Sequence, residues 1–462
     1  MRTRFFRTVC WLAVLVCAVC GFSTTMQAQQ GVNLLEGIDA GQHVEIVDDE
    51  ACGCELVYID GIQTTQRGGL YGFKLADGTE LVPPTYRFVG QFTNGFCIVL
   101  RSDTTWGIIN RRGEEVLPCV YQEVSLPREG LIRVKQNGLY GFADTLGRMV
   151  IECQYPAASA FSEGAAVVAV NLSTLPAQVV KQIDLEAISG INLDTLAIAY
   201  GFIDKEGQLL MLPQYEYCNP FIEGYAVVKM YGRFGVIDHQ GKEVLPVKYD
   251  WVMNVTAGRC FAYVDGEGIA MFDNRFRRIT PFRYSEVVGF GDDFFTVRRD
   301  SVYTYLDRRG REPFGVFDKA YVFAEGCARV ERGGKVGVID TRGHEVLPIA
   351  YQCSNRYPGE YMMIEGRVLI EREGRFGFVD KQGREVVPCI YQGAFSFSEG
   401  LAPVCQGDWW GFVDKEGRMA IAPRFQAASQ HQYGRAEVLL NNETYKINRQ
   451  GKCVKNCSTF PK

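Results

Sequence analysis

The stretch GFVDKQGREVVP, residues 377–388, carries a pattern that recurs along most of this chain. A short apolar segment ends at Asp380, and residues 380–383 have the composition of a turn. An aspartate that opens a turn can accept hydrogen bonds from the following backbone, and Gly383 can adopt the positive φ that leads into the next strand. The residues up to Pro388 predict a second strand, which the proline places at an edge or an end of a sheet.

The pattern can be followed by the glycine that comes after an aromatic residue or, once, a valine. Three neighbouring pairs of this glycine are 34 residues apart. A unit of this length holds two or three short antiparallel strands, with a short fourth strand near the tyrosine that follows the proline. Such a unit is too small to bury a core alone and must stack on its neighbours. The glycines are Gly72, Gly107, Gly141, Gly201, Gly235, Gly337, Gly377 and Gly411.

Two more copies, near Gly268 and Tyr305, have drifted from the pattern, and a partial copy ends at Gly451. The sequence therefore predicts an all-β fold of about ten tandem antiparallel β-meander repeats of roughly 34 residues. Ten units exceed the roughly 4–8 blades of an ordinary single propeller. An open β-solenoid or superhelix and propeller-like rings both remain open.

The N-terminus has the layout of a secretory signal. Three arginines precede an apolar run that is shorter than the ~20 residues of a membrane span, and small and polar residues follow up to Ala28. We therefore expect a signal peptide at 1–28, a lead-in or cap at 29–69, the repeat array at 70–452 and a tail at 453–462. This organisation predicts a periplasmic, outer-membrane associated or secreted protein, with membrane contact only if it is lipidated.

The composition gives no sign of a nucleic-acid or metal site. The formal net charge is −5, whereas nucleic-acid binders usually show a basic face, so no nucleic-acid partner is expected. Each turn aspartate stands alone, without the alternating acids of a calcium loop. A row of glutamates, which includes Glu163 and Glu399, falls in an aromatic-x-Glu-Gly corner and predicts corner hydrogen bonds rather than paired catalytic acids.

Most of the 16 cysteines occupy repeat positions and predict small buried side chains. Four lie outside the repeat register, near the two ends of the chain. In an oxidising compartment, Cys52 or Cys54 could form a disulfide with Cys453 or Cys457.

Residues 171–198 are an insertion that the repeat does not require. Apolar residues spaced along 176–188, after a proline, predict a short amphipathic helix. Insertions in repeat arrays often lie on the binding face, so this segment is a candidate recognition element.

The recurring motif resembles the WG repeat of bacterial proteins, and the signal and repeats are similar to those of secreted proteins of the Bacteroides group. The resemblance covers about 70–451 and implies a β-repeat array with no shared enzymatic activity. It assigns structural roles to Trp106, Gly107, Gly141, Asp204, Gly207, Asp380, Gly383, Trp410 and Gly411.

The expected function is a non-enzymatic secreted or cell-envelope scaffold that binds a protein or a glycan. Trp409 is a candidate binding residue because the neighbouring Trp410 already fills the repeat position. Phe290 and Phe294 are candidates because they lie in a drifted copy, where sites often break local rules. We assign no catalytic, cofactor or metal residue. The alternative is a glycan-acting enzyme with a site in the divergent repeats at 266–325.

Overall fold

The computed structural model describes residues 44–49, 54–59, 61–101, 103–185, 188, 198–352, 357, 359–455 and 457–460. These residues form eleven small sheets whose strands follow one another in chain order. Every described strand pair within a sheet is antiparallel, and each sheet is open, because its first and last strands do not pair. The all-β meander prediction is therefore confirmed, and the partial last copy forms a sheet of its own.

Sheets 1 to 5 precede the drifted copies. Sheet 1 contains β1 (Val44–Asp49), β2 (Cys54–Ile59), β3 (Ile62–Arg67), β4 (Leu70–Leu75) and β5 (Glu80–Tyr86). Sheet 2 contains β6 (Phe88–Val89), β7 (Phe96–Leu100), β8 (Trp106–Asn110) and β9 (Glu115–Tyr121). Sheet 3 contains β10 (Glu123–Val124), β11 (Leu131–Gln136), β12 (Leu139–Asp144) and β13 (Met149–Tyr155). Sheet 4 contains β14 (Ala157–Ala158), β15 (Ala166–Asn171), β16 (Ile198–Ile203) and β17 (Leu209–Tyr215). Sheet 5 contains β18 (Tyr217–Cys218), β19 (Tyr225–Met230), β20 (Arg233–Asp238) and β21 (Glu243–Tyr249).

Sheets 6 and 7 are the drifted copies and have three strands each. Sheet 6 contains β22 (Trp251–Val252), β23 (Cys260–Val264) and β24 (Gly268–Phe272), and sheet 7 contains β25 (Glu286–Gly291), β26 (Phe294–Arg299) and β27 (Val302–Leu306). Sheet 8 contains β28 (Lys319–Ala320), β29 (Cys327–Arg332), β30 (Lys335–Asp340) and β31 (Glu345–Tyr351). Sheet 9 contains β32 (Met363–Ile364), β33 (Arg367–Arg372), β34 (Arg375–Val379) and β35 (Glu385–Tyr391). Sheet 10 contains β36 (Gly393–Ala394), β37 (Leu401–Gln406), β38 (Trp409–Asp414) and β39 (Met419–Phe425). Sheet 11 contains β40 (Ala427–Ala428), β41 (Arg435–Leu440), β42 (Glu443–Asn448) and β43 (Cys453–Lys455).

The repeat glycine lies on the third of the four strands that make one repeat, beneath the fourth strand. In the five-stranded sheet 1 these are β4 and β5, which we call the third and fourth strands by the same count. A Cβ atom added at Gly377 would lie 2.5 Å from the carbonyl oxygen of Val387 and 2.7 Å from the amide nitrogen of Cys389. The two strands shift register at this point, where the fourth strand bulges over the glycine. Glycine is needed here because the backbones approach too closely for any side chain.

The turn after the third strand is closed by its aspartate. Asp380 Oδ1 accepts hydrogen bonds of 2.9 Å from the backbone N–H groups of Gln382 and Arg384. Gly383 has φ = +74°, and a Cβ atom there would also collide with the carbonyl oxygen of Val346 in the preceding sheet. The turn glycine therefore provides both a left-handed backbone and close packing between sheets.

A glutamate at each of several corners connects one sheet to the next. The corner is the two-residue turn between the first and second strands, and its glutamate has positive φ, for example +51° at Glu365. The Glu365 carboxylate accepts hydrogen bonds of 2.7 and 3.0 Å from the N–H groups of Glu399 and Gly400, the next corner. Lys415 Nζ lies 2.9 Å from the same carboxylate. Glu129, Glu163, Glu223, Glu325 and Glu399 make equivalent bonds to the following corner. We call this row the corner ladder.

Aromatic pairs fill the core under several corners. Phe378 and Phe397 lie 4.8 Å apart and are fully or almost fully buried, and Phe142 and Phe161 repeat the contact at 4.9 Å. In sheet 11 the corner aromatic is His431, which is buried beside Phe412. Burial lowers the pKa of His431, because the uncharged ring is preferred away from water.

The insertion is less helical than predicted. A 3₁₀ turn at Leu172–Thr174 is followed by α1 (Ala177–Val180), a single turn rather than a helix over 176–188. Leu172, Ile183 and Ile188 are buried in a cluster that includes Leu212 of β17. The apolar residues meet the array through irregular backbone, so a continuous helix is not needed to bury them. Residues 186–187 and 189–197 lie outside the described residues.

The C-terminal cysteines correct the expected link between the chain ends. Cys453 in β43 forms a disulfide with Cys457, and their Cα atoms are 5.7 Å apart. Neither can therefore bond to Cys54, while Cys52 lies outside the described residues. A sequence separation of four residues favours this local pair, because little chain entropy is lost in closing so short a loop. Another 3₁₀ turn, Cys457–Thr459, completes the described chain.

Candidate functional site

Apart from the terminal sheet 11, where Tyr445 takes its place, sheets 6 and 7 are the described sheets that lack the repeat glycine. The equivalent residues are Ala270 and Thr304, and neither sheet has a regular fourth strand. In sheet 6, the Thr280 hydroxyl accepts a 2.8 Å hydrogen bond from the N–H of Met271. In sheet 7, Phe314 occupies the register position where a regular fourth strand would pair with Tyr305, and the residue before it is Pro313, which has no N–H to donate. A side chain replaces glycine, and the fourth strand no longer packs over it.

The corner ladder is also interrupted between these two sheets. The corner residue of sheet 6 is Ala257, which has no carboxylate to accept from the corner of sheet 7. Arg259 Nε donates to the carbonyl oxygen of Arg308, a contact that Arg367 also makes to Lys415 beside an intact corner. The Arg308 guanidinium lies 2.8 Å from Asp293. The ladder resumes at Asp292, which accepts a 2.6 Å hydrogen bond from the N–H of Gly326. Sheets 6 and 7 thus depart from the repeat in their third strand, fourth strand and corner.

The lost fourth strand of sheet 7 leaves a cavity of about 220 Å³ against sheet 8. The irregular segment after β27 forms one wall, and the second, third and fourth strands of sheet 8 with their turn form the other. The lining residues are Pro313, Phe314, Gly315, Phe317, Arg332, Ile339, Arg342, Gly343, Glu345 and Ile349. Phe314 packs against Phe294 and Tyr305, at 5.1 and 5.7 Å, so its ring is anchored in the core.

Two guanidinium groups and one carboxylate supply the charge of the cavity wall. Arg332 donates two hydrogen bonds to the carbonyl oxygen of Val316, at 3.1 and 3.3 Å, and stacks 5.0 Å from the Phe317 ring. Arg342 donates to Asp340 at 3.1 and 3.2 Å. Burial alone would raise the pKa of Asp340, but backbone hydrogen bonds from His344 and Arg342 and the Arg342 side chain lower it. Asp340 therefore stays ionised and holds Arg342 at the rim.

This arrangement can bind an anionic group beside an aromatic wall. A guanidinium has five N–H donors, and the described contacts of Arg332 use two of them. Glu345 is the only carboxylate among the lining residues, whereas glycoside hydrolysis generally needs two carboxyl groups. The described part of the chain also contains no cluster of acids, histidines and cysteines suited to a metal ion.

The three predicted binding aromatics lie in different environments. Trp409 begins β38 in the regular sheet 10, and 46% of its surface is exposed. Phe290 is partly buried, 4.5 Å from Phe295, with the Arg308 guanidinium 5.6 Å from its ring. Phe294 supports the cavity residue Phe314 from behind. The structure does not bring the three together, and their role in binding stays a prediction.

Sequence reasoning missed the cavity and one corner. The loss of glycine at Thr304, followed by Pro313, was a readable signal for a missing strand. Arg332 and Arg342 gave no such signal, because arginines are common in these turns and hairpins. Glu365 was missed because residues 353–365 make this copy longer than the 34-residue repeat, which obscures the repeat register.

The family can now be assigned from the repeats themselves. A family model described as "WG containing repeat" matches more than half of the chain, at residues 71–102, 106–140, 140–171, 200–233, 234–267, 313–335, 376–408 and 410–443. The chain belongs to the WG-containing repeat family. None of the family matches falls on residues 268–312, which include β24 and all of sheet 7.

Several solved structures resemble this WG-repeat protein at low similarity. BamB from Moraxella catarrhalis has 11% identity and a TM-score of 0.30 over 59% of this chain and 86% of its own. A eukaryotic initiation factor has 12% identity and a TM-score of 0.34 over 75% of this chain and 97% of its own. The extracellular domain of a putative one-component system from B. thetaiotaomicron has 10% identity and a TM-score of 0.22 over 90% and 74%. These low scores support no argument about function. No curated protein matches the sequence.

Proposed function

We propose that this WG-repeat protein is a non-enzymatic scaffold of the cell envelope or extracellular space that binds a protein or glycan carrying an anionic group. The cavity beside sheet 7 carries the proposal. Its volume of about 220 Å³ is below the roughly 300–1,000 Å³ of typical small-molecule pockets. A cavity of this size suits one acidic side chain or one acidic sugar unit of a larger partner.

The regular sheets supply a rigid frame for this site. Each corner carboxylate of the ladder bonds the backbone of the following sheet, so neighbouring sheets are held in fixed register. We propose this location because residues 1–28 have the layout of a secretory signal and because the signal and repeats resemble those of Bacteroides-group secreted proteins. Among the described residues, no helix is long and apolar enough to cross a membrane.

The test is a pull-down from envelope extract with the mature protein and two cavity variants. Gly315→Trp should fill the cavity, because Gly315 is exposed on its wall, and Arg332→Ala should remove one cation. Both variants should lose the partner that the wild-type protein retains, while their melting temperatures stay close to that of the wild type.

The matched control is Arg372→Ala, since Arg372 ends the second strand of sheet 9 as Arg332 ends that of sheet 8. Arg372→Ala should retain the partner. Equal retention by all four proteins would exclude the cavity as the binding site. Hydrolysis of an envelope glycan by the wild type, lost in Glu345→Gln, would instead favour an enzyme.

A further inference from the structure

The fourth strand is the outer edge of every regular sheet, and almost all of these edges contain proline. Eight fourth strands have seven residues each, and seven of them have proline at the fourth position, the fifth position or both. Proline has no N–H to donate, so it discourages another strand from pairing with an exposed edge. The prolines are Pro83, Pro84, Pro118, Pro213, Pro246, Pro348, Pro388 and Pro423.

The exception among these eight strands is β13 in sheet 3. Its fourth residue is Glu152, and it contains no proline. Within the described chain, β13 is the last strand of its sheet and pairs only with β12. Val150 on this strand is 44% exposed, and Leu146 in the preceding turn is 72% exposed. The outer edge of β13 therefore keeps all of its backbone N–H donors, and exposed aliphatic side chains lie beside this edge.

We propose that β13 is a docking edge for an extended peptide segment of another protein, which adds a fifth strand to sheet 3. Backbone hydrogen bonds to β13 would supply affinity, as in other cases of strand addition. The segment carries lysine or arginine opposite Glu152 and aliphatic residues against Val150 and Leu146. This surface is separate from the cavity beside sheet 7, so the two proposals stand or fall independently.

The charge of Glu152 decides between a foreign strand and a second copy of this chain. In a full antiparallel pairing of β13 with itself, the central residue Glu152 would face Glu152 of the other copy. Like charges directly opposite each other destabilise a strand pair, whereas opposite charges stabilise it. A partner strand with lysine or arginine opposite Glu152 therefore pairs favourably with β13, whereas β13 of a second copy does not.

The other sheets show that proline fits at position 152. In sheet 2, Trp106 pairs with Tyr121 and Ile108 with Leu117; in sheet 3, Tyr140 pairs with Tyr155 and Phe142 with Ile151. Both fourth strands therefore have the same register, and Pro118 occupies the position of Glu152. Glu152→Pro should fold normally while it removes the edge donor.

The probe is a fluorescent nine-residue peptide, VTVTKTVTV, in which valines share one face with the central lysine; it is titrated into the mature protein and followed by anisotropy. Wild-type protein should bind it saturably at one site, and Glu152→Pro should weaken binding at least tenfold with an unchanged melting temperature. Glu152→Lys should reverse the preference, so that the peptide with glutamate in place of lysine binds better. Pro118→Glu should open a second edge and raise the stoichiometry to two.

The charge reversal keeps the test informative if Glu152→Pro fails to fold. The proposal is overturned if wild-type protein shows no saturable binding of the peptide. It is also overturned if Glu152→Pro binds as tightly as wild type, or if Glu152→Lys leaves the preference for the lysine peptide unchanged.

Discussion

Sheets 9 and 7 start from the same repeat and reach different structures. In sheet 9, Gly377 lets the seven-residue β35 bulge over β34, and Phe378 pairs with Val387. In sheet 7 the glycine is Thr304 and the fourth strand is reduced to one bridge, Tyr303 with Phe317. All eight sheets with the glycine have seven-residue fourth strands. The comparison teaches that this glycine is required by the strand that crosses it rather than by its own backbone conformation.

The largest expected effect comes from placing a side chain under a regular fourth strand. Gly377→Val should destabilise sheet 9 by about 3 kcal/mol or more, since the new Cβ would collide with backbone atoms that cannot move independently. Hydrogen exchange should show loss of protection in the β35 amides. Unchanged protection there would mean that the close approach is not what requires glycine.

A valine at the equivalent position of sheet 7 should change stability in the opposite direction. Thr304 is buried, and its hydroxyl makes no hydrogen bond within the described structure. Thr304→Val removes this unsatisfied group at nearly constant volume and should stabilise the protein by about 1 kcal/mol. Chemical denaturation measures the change. A loss of stability would show that the hydroxyl has a partner in solution.

A second glycine test concerns the turn. Gly383→Val should cost about 1–3 kcal/mol, because φ is +74° and the side chain would meet the Val346 carbonyl. Sheet 6 tolerates Phe276 at the equivalent position, where φ is +56° and the ring packs 4.8 Å from Tyr225. Gln382→Ala in the same turn is the control and should leave the melting midpoint unchanged. A midpoint unchanged in Gly383→Val would refute the steric account.

The corner ladder predicts a smaller, pH-dependent effect. Burial alone would raise the pKa of Glu365, but hydrogen bonds from Lys415, Gly400 and Glu399 lower it below its ordinary value. A carboxylate with a lowered folded pKa stabilises the fold above that ordinary value, and the contribution is lost as the pH falls through the folded pKa. Glu365→Gln should cost about 1 kcal/mol at pH 7 and less at pH 3.

The control for this test is Glu373→Gln, because Glu373 lies in the hairpin between β33 and β34 and takes no part in the corner ladder. Denaturation at both pH values measures the difference. Equal losses at pH 7 and pH 3 for Glu365→Gln would show that the ionised carboxylate does not stabilise the corner.

The smallest expected effect is that of chelation. The turn oxygens accept backbone N–H groups, as Asp204 Oδ1 does from Glu206 and Gln208 at 3.1 and 2.7 Å. EDTA should therefore leave the melting temperature unchanged. A clear decrease that calcium reverses would show that these turns bind metal.

The local chemistry of the repeat could be predicted from the sequence alone. The turn composition at 380–383 and the edge proline Pro388 specify strands and turns through short-range sterics and hydrogen bonds. The short fourth strand expected near Tyr391 is present as Gly393–Ala394, but it opens the next sheet rather than closing its own. The pattern gives the order of strands, and only pairing shows where one sheet ends and the next begins.

Tertiary structure decided the features that depend on contacts between copies. The corner glutamates bond residues about 35 positions away, so their partners follow from the stacking of sheets. The irregular insertion likewise depended on which surfaces meet, because its apolar residues pack against the array. The cavity exists because Thr304 and Pro313 remove one strand while sheet 8 keeps its place. Each of these residues can be read from the sequence, but the space between two sheets depends on how both sheets pack against each other.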